Sequence, residues 1–433
     1  MKRHAPGTTR VRAVVRELAN GGDGVAIVEV KGERRAVFVR GAAVGDELDL
    51  SVDLGTRPAR GRILSIEKAG PGRIVPVCPH ASSCGGCAWM HLSPGGQEEA
   101  HRQLVRATLP DAWGRIPLVF HPPLESLGYR TRARLAARAS GGRAVVGLRE
   151  AGTHDAVEVD RCVVLHPELD LARLAVGPLL EGARGRGEAQ LALGALGRPV
   201  LELTWEGRLD PKTFARLESG VKSRAWAGAR VFEGETRKPA VVGDPTPWTV
   251  GADGEPLRLA PGGFAQASEK ANVALGARLL GLVTSVLGES LGAVVELFAG
   301  AGNFTVLLAR HAARVVAIEA SGPACEAARQ NLAARGLTAK VVEALAEEHL
   351  LRKATDLVVL DPPRTGARRV AERLALARPR VIAYVSCDLP TLARDLERLE
   401  AAFEPVAIEA FAMFPHTPHL ETLAVLARRP RAS

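Results

Sequence analysis

The chain has 433 residues, 46% of them hydrophobic, and carries 57 Lys and Arg against 48 Asp and Glu, a formal net charge of +9. That length allows two to four domains and a sizeable core in each. The apolar runs are broken by charge or glycine short of the ~20 residues a membrane helix needs. The basic start, Met1-Lys2-Arg3-His4-Ala5-Pro6, is not followed by the apolar core of a signal sequence. A soluble, cytoplasmic protein with no membrane partner is therefore expected. Residues 1–240 hold 36 basic and 27 acidic side chains, while residues 241–433 hold 21 of each. A basic front half ahead of a neutral back half suits a polyanionic partner held by appended modules; ordinary solvated surface is the alternative.

Residues 10–66 read as short strands at Val11–Leu18, Gly24–Lys31, Glu33–Val39, Glu47–Val52 and Arg60–Glu67. Each alternates apolar with polar and is separated from the next by glycine-rich turns, which suggests a small β-barrel. Gly22-Asp23-Gly24-Val25-Ala26, Ala36–Ala42 and Val44-Gly45-Asp46 resemble a TRAM domain, an RNA-binding barrel; a structural spacer is the plainer alternative. Cys78, Cys84 and Cys87 follow within ten residues, and Cys162 is the only other cysteine of the front half. In a cytosolic chain such clustering argues for metal rather than disulfides, and four thiolates suit an iron–sulfur cluster or zinc. The spacing does not choose between them.

Beyond the cysteines, Gly128-Tyr129-Arg130-Thr131-Arg132-Ala133-Arg134 places three guanidinium groups on one face of a strand beside an aromatic ring, a pattern suited to phosphate and base contacts. Strands follow at Ala144–Leu148 and Ala156–Val159. A helix over Leu171–Leu180 comes next, with an interruption allowed at Gly177-Pro178, then a loop over Gly182–Gly187. Strands at Gln190–Ala195 and Pro199–Trp205 and a helix at Pro211–Gly220 complete the region. A long helix is expected at Glu269–Leu287. From Ala293 strands and helices alternate to the end, as in a doubly wound parallel sheet.

Within that back half, the strand Val294-Val295-Glu296-Leu297 breaks at Gly300-Ala301-Gly302 and resumes as a helix, an order that brings backbone up to a ligand. A second strand ends in Glu319, placed to accept hydrogen bonds from ribose or to cap the next helix. A third ends in Asp361-Pro362-Pro363-Arg364, where the two prolines stiffen the exit. A fourth ends in Ser386-Cys387-Asp388-Leu389-Pro390-Thr391-Leu392-Ala393-Arg394-Asp395-Leu396. Together these resemble a class I S-adenosylmethionine-dependent methyltransferase, and more narrowly the 5-methyluridine RNA methyltransferases, whose nucleophile signature the last run matches. Phe264, Gln266, Asn331 and the closing run Met413–Thr422 match further family positions. Ser268, Ala344 and Ala412 depart from the family pattern.

The resemblance implies that Gln266, Phe298, Gly300, Gly302, Asn303, Glu319 and Asp361 bind the cofactor, S-adenosylmethionine. It implies that Cys387 is the nucleophile and Glu421 the base, with Asp361 and Arg364 shaping the uracil pocket. Because uracil C5 is too weak a nucleophile alone, addition of a thiolate to C6 is needed to activate it. The helix opening at Pro390-Thr391 would favour that thiolate, and the target base must be unstacked to reach it. The resemblance also implies a [4Fe–4S] cluster on Cys78, Cys84, Cys87 and Cys162, as in the ribosomal-RNA branch. His416, His419 and Cys325 read as structural. The expectation is an α/β protein in three parts: a barrel over 1–75, a cluster-bearing α+β middle domain over 76–240 and a Rossmann-like domain over 241–433. It would act as a monomer on RNA, 23S ribosomal RNA first and transfer RNA second. A noncatalytic RNA-binding or assembly factor is the reading from another class.

Overall fold

The structure, a computed structural model, describes residues 8–30, 32–153, 155–236, 238–349 and 354–430. Met1–Pro6 and Lys31, the expected end of the second strand, lie outside them. The chain forms two compact units, one of Met1–Thr108 with Phe414–His419 and one of Leu109–Met413 with Leu420–Ser433.

In the first unit, β1 (Thr8–Leu18), β2 (Gly24–Val30), β3 (Glu33–Val39), β4 (Glu47–Asp53) and β5 (Ala59–Lys68) close into a barrel in the order β1-β2-β3-β5-β4. Alternation does the work: Val15, Val28, Val37, Val39, Leu48 and Leu50 point inward. Helix α1 (Pro94–Thr108) buries Gln97, Ala100, His101 and Leu104, one face at helical spacing. Two of those residues are polar, and they grip the returning segment. Gln97 Oε1 accepts from His416 N (2.8 Å), and His101 Nε2 lies 3.2 Å from Thr417 O. Trp89 adds its backbone N–H to His416 O (2.8 Å) and its indole N–H to Gly22 O in the barrel (3.0 Å).

The second unit holds two large sheets. The first runs through β7 (Arg132–Ser140), β8 (Arg143–Arg149), β9 (Ala156–Val157), β10 (Arg184–Leu193), β11 (Pro199–Arg208), β12 (Gly228–Glu233) and β13 (Ala240–Gly243). It packs one face on α2 (Pro167–Leu179) and α3 (Pro211–Lys222) around Leu135, Leu169, Leu191, Leu203 and Trp205. Two sequence expectations are corrected here. Arg184–Gly187 is not loop but the start of β10, paired with β7 and β11. Its glycines allow close strand approach, since a Cβ at Gly185 would fall 2.0 Å from Glu206 O. The helix begins four residues earlier than expected, and Pro178 sits in its last turn without breaking it.

The second sheet uses β6 (Leu118–His121), β16 (Ala293–Leu297), β17 (Arg314–Glu319), β18 (Lys340–Glu343), β19 (Leu357–Leu360), β20 (Val381–Ser386), β21 (Phe403–Phe411) and β22 (Glu421–Arg428). Its order is β18-β17-β16-β19-β20-β22-β21-β6, and the central pairs from β18 to β20 are parallel. Edge strand β6, within the expected middle domain, pairs with β21. A small hairpin of β14 (Trp248–Val250) and β15 (Pro256–Arg258) precedes α4 (Glu269–Leu287). Ser268 caps α4 by accepting from Ala271 N (3.3 Å). By length and composition alone α4 could cross a membrane, contrary to the sequence reading, but here it packs beside β20 and β22. The remaining helices are α5 (Thr305–Leu308), α6 (Gly322–Ala334), α7 (Arg368–Ala377) and α8 (Leu389–Leu399).

One buried acid ties the loops of this sheet together. Asp395 on α8 is fully buried, and its Oδ2 accepts from Ala367 N (2.6 Å) and Tyr384 OH (2.9 Å). Its Oδ1 accepts from Arg394 Nε (2.9 Å). Asp395→Ala leaves a buried amide and hydroxyl unpaired and should cost about 3 kcal/mol. Urea unfolding of the pure variant measures this; a loss below about 0.5 kcal/mol, the range of ordinary surface changes, would contradict it.

Candidate active site

Strand order reverses at β16, whose neighbours are β17 and β19, and ligands of such sheets bind outside the carboxyl ends at that point. Phe298–Gly302 follows β16, Glu319 ends β17, Asp361 follows β19 and Cys387 follows β20. Strand β22 runs the other way. Its register, Ser386 against Thr422, sets Glu421 at the same edge beside Cys387. Elements far apart in sequence thus deliver the expected residues to one rim.

The glycine turn is held open by strain and by its neighbours. Phe298, Gly300 and Gly302 all have positive φ (61°, 56° and 86°), which costs Phe298 about 1 kcal/mol or more. A Cβ at Gly300 would meet nothing within 4 Å, so the turn faces open space. Glu319 Oε2 accepts from Gly300 N (2.9 Å) and its Oε1 from Ser321 N (2.8 Å), leaving lone pairs on both oxygens. Asn303 is engaged within the protein: its Oδ1 accepts from Ala252 N (3.0 Å) and Asn272 Nδ2 (2.9 Å), and its Nδ2 donates to Asn272 Oδ1 (2.9 Å). Asn331 likewise bridges Arg258 to Ala301 O (2.9 Å).

Gln266 is buried and donates Nε2 to Asp361 Oδ2 (3.3 Å), while its Oε1 has no partner among the described residues. Glu421 is 2% exposed, and its Oε2 is also buried with no partner among the described residues. Phe264, two residues before Gln266, is 74% exposed. Burial pushes the Asp361 carboxyl up to about 7 against the Gln266 hydrogen bond. Burial and the nearby Asp361 push Glu421 well above the usual range, with Arg364 opposing. Burial, then Glu421 and Asp361, push the half-buried Cys387 thiol up to about 11, with Arg364 again opposing. The expected thiolate-favouring environment is therefore not what surrounds this sulfur. Desolvation first, then the charges of Glu421 and Asp361, act against the thiolate here.

The Cys387 turn itself is rigid. Ser386 Oγ donates to Asp388 O (3.1 Å) and accepts from Asp388 N (3.2 Å), and Asp388 caps α8 by accepting from Thr391 N (3.0 Å). Thr391 Oγ1 reaches Arg364 O (3.3 Å) and Arg394 Nη2 reaches Thr365 O (3.0 Å), so α8 also holds the loop bearing Asp361 and Arg364. Two residues were missed from sequence. Asp395 was signalled by an acid on an apolar helix face between Leu392 and Leu399. Glu296 lies under the turn, bonded by Thr305 Oγ1 (2.5 Å) and pushed by burial to about 8.

The cysteines divide differently. Cys78, Cys84 and Cys87 lie in the first unit and Cys162 in the second. Gly86 N donates to Cys84 Sγ (3.4 Å). Among the described residues no group of three or more His, Cys, Asp or Glu is arranged to hold a metal ion.

The family model described as tRNA (Uracil-5-)-methyltransferase matches residues 260–355 and 339–429, the stretch that carries Gln266 through Glu421. The chain is 33% identical over 415 residues to a 23S rRNA (uracil(1939)-C(5))-methyltransferase RlmD of Alkalilimnicola ehrlichii, covering 92% of both. It belongs to the RNA uracil-C5 methyltransferase family. The RlmD of Halomonas elongata is 34% identical over 98% of this chain and 91% of its own. Among solved structures, Pyrococcus abyssi tRNA (uracil-54, C5)-methyltransferase in complex with S-adenosyl-L-homocysteine superimposes with a TM-score of 0.74 at 25% identity. The match covers 96% of this chain and 100% of that one. The back sheet is thus the α/β sheet of a class I methyltransferase.

The raised thiol of Cys387 gives a direct test. Alkylation of Cys387 by iodoacetamide in the free protein should rise about tenfold per pH unit between pH 7 and 10, as the thiolate fraction grows. Peptide mass spectrometry reads it, and a rate already flat at pH 8 would contradict the thiol described here.

Proposed function

We propose that this protein transfers a methyl group from S-adenosylmethionine to C5 of a uracil in structured RNA, with 23S ribosomal RNA as substrate. The observation that carries the reading is the Ser386–Thr422 register, which brings a cysteine and a glutamate together at the rim that holds the glycine turn. The rim fits the cofactor: Gly300 opens on free space, Glu319 keeps lone pairs for ribose, and Gln266 Oε1 is buried and unspent. Phe298, Gly300, Gly302, Glu319, Gln266 and Asp361 would hold it, while Asn303 braces the turn from behind. When bound, S-adenosylmethionine supplies an electrophilic methyl group.

The chain's own residues do the rest. Cys387 Sγ bonds to uracil C6 as its proton passes to Asp361, and electrons move through C5 onto O4 to give an enolate, while Glu421 in its ionised form waits for the C5 proton. Asp361, whose carboxyl burial raises above the usual carboxylate range, is matched to take that proton. Arg364 offsets the charge gathered there. Once C5 carries the methyl group, Glu421 removes the C5 proton, the C5=C6 bond re-forms and Cys387 leaves as thiolate. The exposed ring of Phe264 is available to a base outside the stack.

The front half serves the RNA. The barrel of residues 1–75 acts as a TRAM domain, and residues 76–240 form a middle domain whose strand β7 carries the arginine row. Cys78, Cys84, Cys87 and Cys162 bind a [4Fe–4S] cluster; the donor chemistry and the Gly86 amide on Cys84 support this. No step of the reaction uses it. The protein works as a cytoplasmic monomer. Transfer RNA is the second reading, favoured by the likeness to the Pyrococcus abyssi enzyme.

Incubation with labelled methyl donor and separated RNA pools decides the substrate. Label in ribosomal RNA is expected; label only in transfer RNA selects the second reading, and none in either overturns both. Cys387→Ala should lower the rate by more than about a thousandfold, and Glu421→Gln should accumulate a protein–RNA species stable on denaturing gels. A Cys387→Ala protein with near-normal turnover would remove the nucleophile. Anaerobically purified protein should be brown, oxygen-sensitive and iron-loaded; colourless protein holding zinc would refute the cluster.

A further inference from the structure

The seven-stranded sheet buries one face under α2 and α3 and leaves the other polar. Register puts Arg134, Gln190, Glu202 and Arg230 in one row across β7, β10, β11 and β12, with Arg132 in the next row. Pro245, Pro247 and Pro261, from the chain leading to the catalytic sheet, stand over that end. They leave an open cleft lined by Arg132, Gln190, Glu202 and Arg230.

The cleft is chemically unfinished. Arg132 is half-buried, and its guanidinium makes no hydrogen bond or ion pair among the described residues. Burial holds its guanidinium below the usual arginine range, with Glu202 opposing. Arg230 Nη2 contacts Glu202 Oε2 (2.5 Å), but Arg230 Nε is buried with no hydrogen-bond partner among the described residues. Gly262, at φ 74°, lets backbone come so near Glu202 that a Cβ would fall 2.9 Å from its carboxylate. A desolvated cation without a partner is costly unless a ligand completes it.

The donor set selects the ligand. A phosphate at this place would be repelled by Glu202. Guanine offers N7 and O6 to a guanidinium fork and N1–H and N2–H to a carboxylate. The prolines, having no N–H, add flat apolar walls for a base plane. We propose that this cleft receives an unpaired guanine of the RNA substrate. The proposal rests on the RNA reading above. Gly262 is four residues from Gln266, so at most about 14 Å of chain separates cleft and catalytic rim. The guanine is a near neighbour of the target uridine.

The full-length protein is tested with an RNA fragment containing the target, in which unpaired guanosines near it are changed singly to inosine or adenosine. One change should raise KM about ten- to a hundredfold with kcat held within about twofold. Arg132→Lys, which keeps charge but loses the fork, and Glu202→Gln should raise KM for the unchanged RNA and lose nothing further on the altered one. Melting temperature and S-adenosyl-L-homocysteine affinity of the variants report folding. Variants with wild-type KM, or losses that simply add, overturn the guanine site while leaving methyl transfer standing. If the wild-type protein methylates no RNA, thermal stabilisation decides: guanosine monophosphate should stabilise wild type and not Glu202→Gln, with no effect from uridine monophosphate. Equal or absent effects overturn the proposal.

Discussion

The antiparallel insertion of β22 between β20 and β21 is the constraint on which the rest depends. In a purely parallel sheet every carboxyl-edge residue follows a strand, and only backbone amides and short loops can answer it. Reversing one strand brings the start of β22 to that edge, so Glu421 arrives beside Cys387 already half fixed by the ladder. A slip of one residue would turn Glu421 to the other face of the sheet. The hydrogen bonds of eight strands therefore set the geometry of two side chains.

That edge concentrates negative charge in a dry place. Glu296 and Glu421 are buried, Asp361 is partly so, and all three titrate upward, as does the thiol on which Glu421 and Asp361 act. Such a cluster is tolerable because protons neutralise it, and it becomes useful because those protons can be moved. Arg364 is a nearby cation acting on both Cys387 and Glu421. Its loop is accordingly tied down by Thr391, Arg394 and Asp395.

Much of this was legible beforehand, because strands of the back half announce themselves as short apolar runs with a chemically loaded residue at the end. Gly300, Glu319, Asp361 and Cys387 were all found by that rule, and the barrel strands by strict alternation. What escaped had weaker local signals. Arg184–Gly187 reads as loop because glycines are scarce in strands; only the close packing on Glu206 explains them. The engagement of Asn303 with Asn272 depends on α4 lying against the turn, which no window of sequence contains. The raised Cys387 thiol depends on Glu421, thirty-four positions away, and a helix terminus alone pointed the other way.

The six residues Phe414–His419 leave one compact unit, are gripped by Trp89, Gln97 and His101 in the other, and return two positions ahead of Glu421. Deleting residues 1–108 would thus strip the anchor from the very strand that supplies the glutamate. The strand that supplies Glu421 takes its anchor from a part of the chain more than three hundred positions earlier.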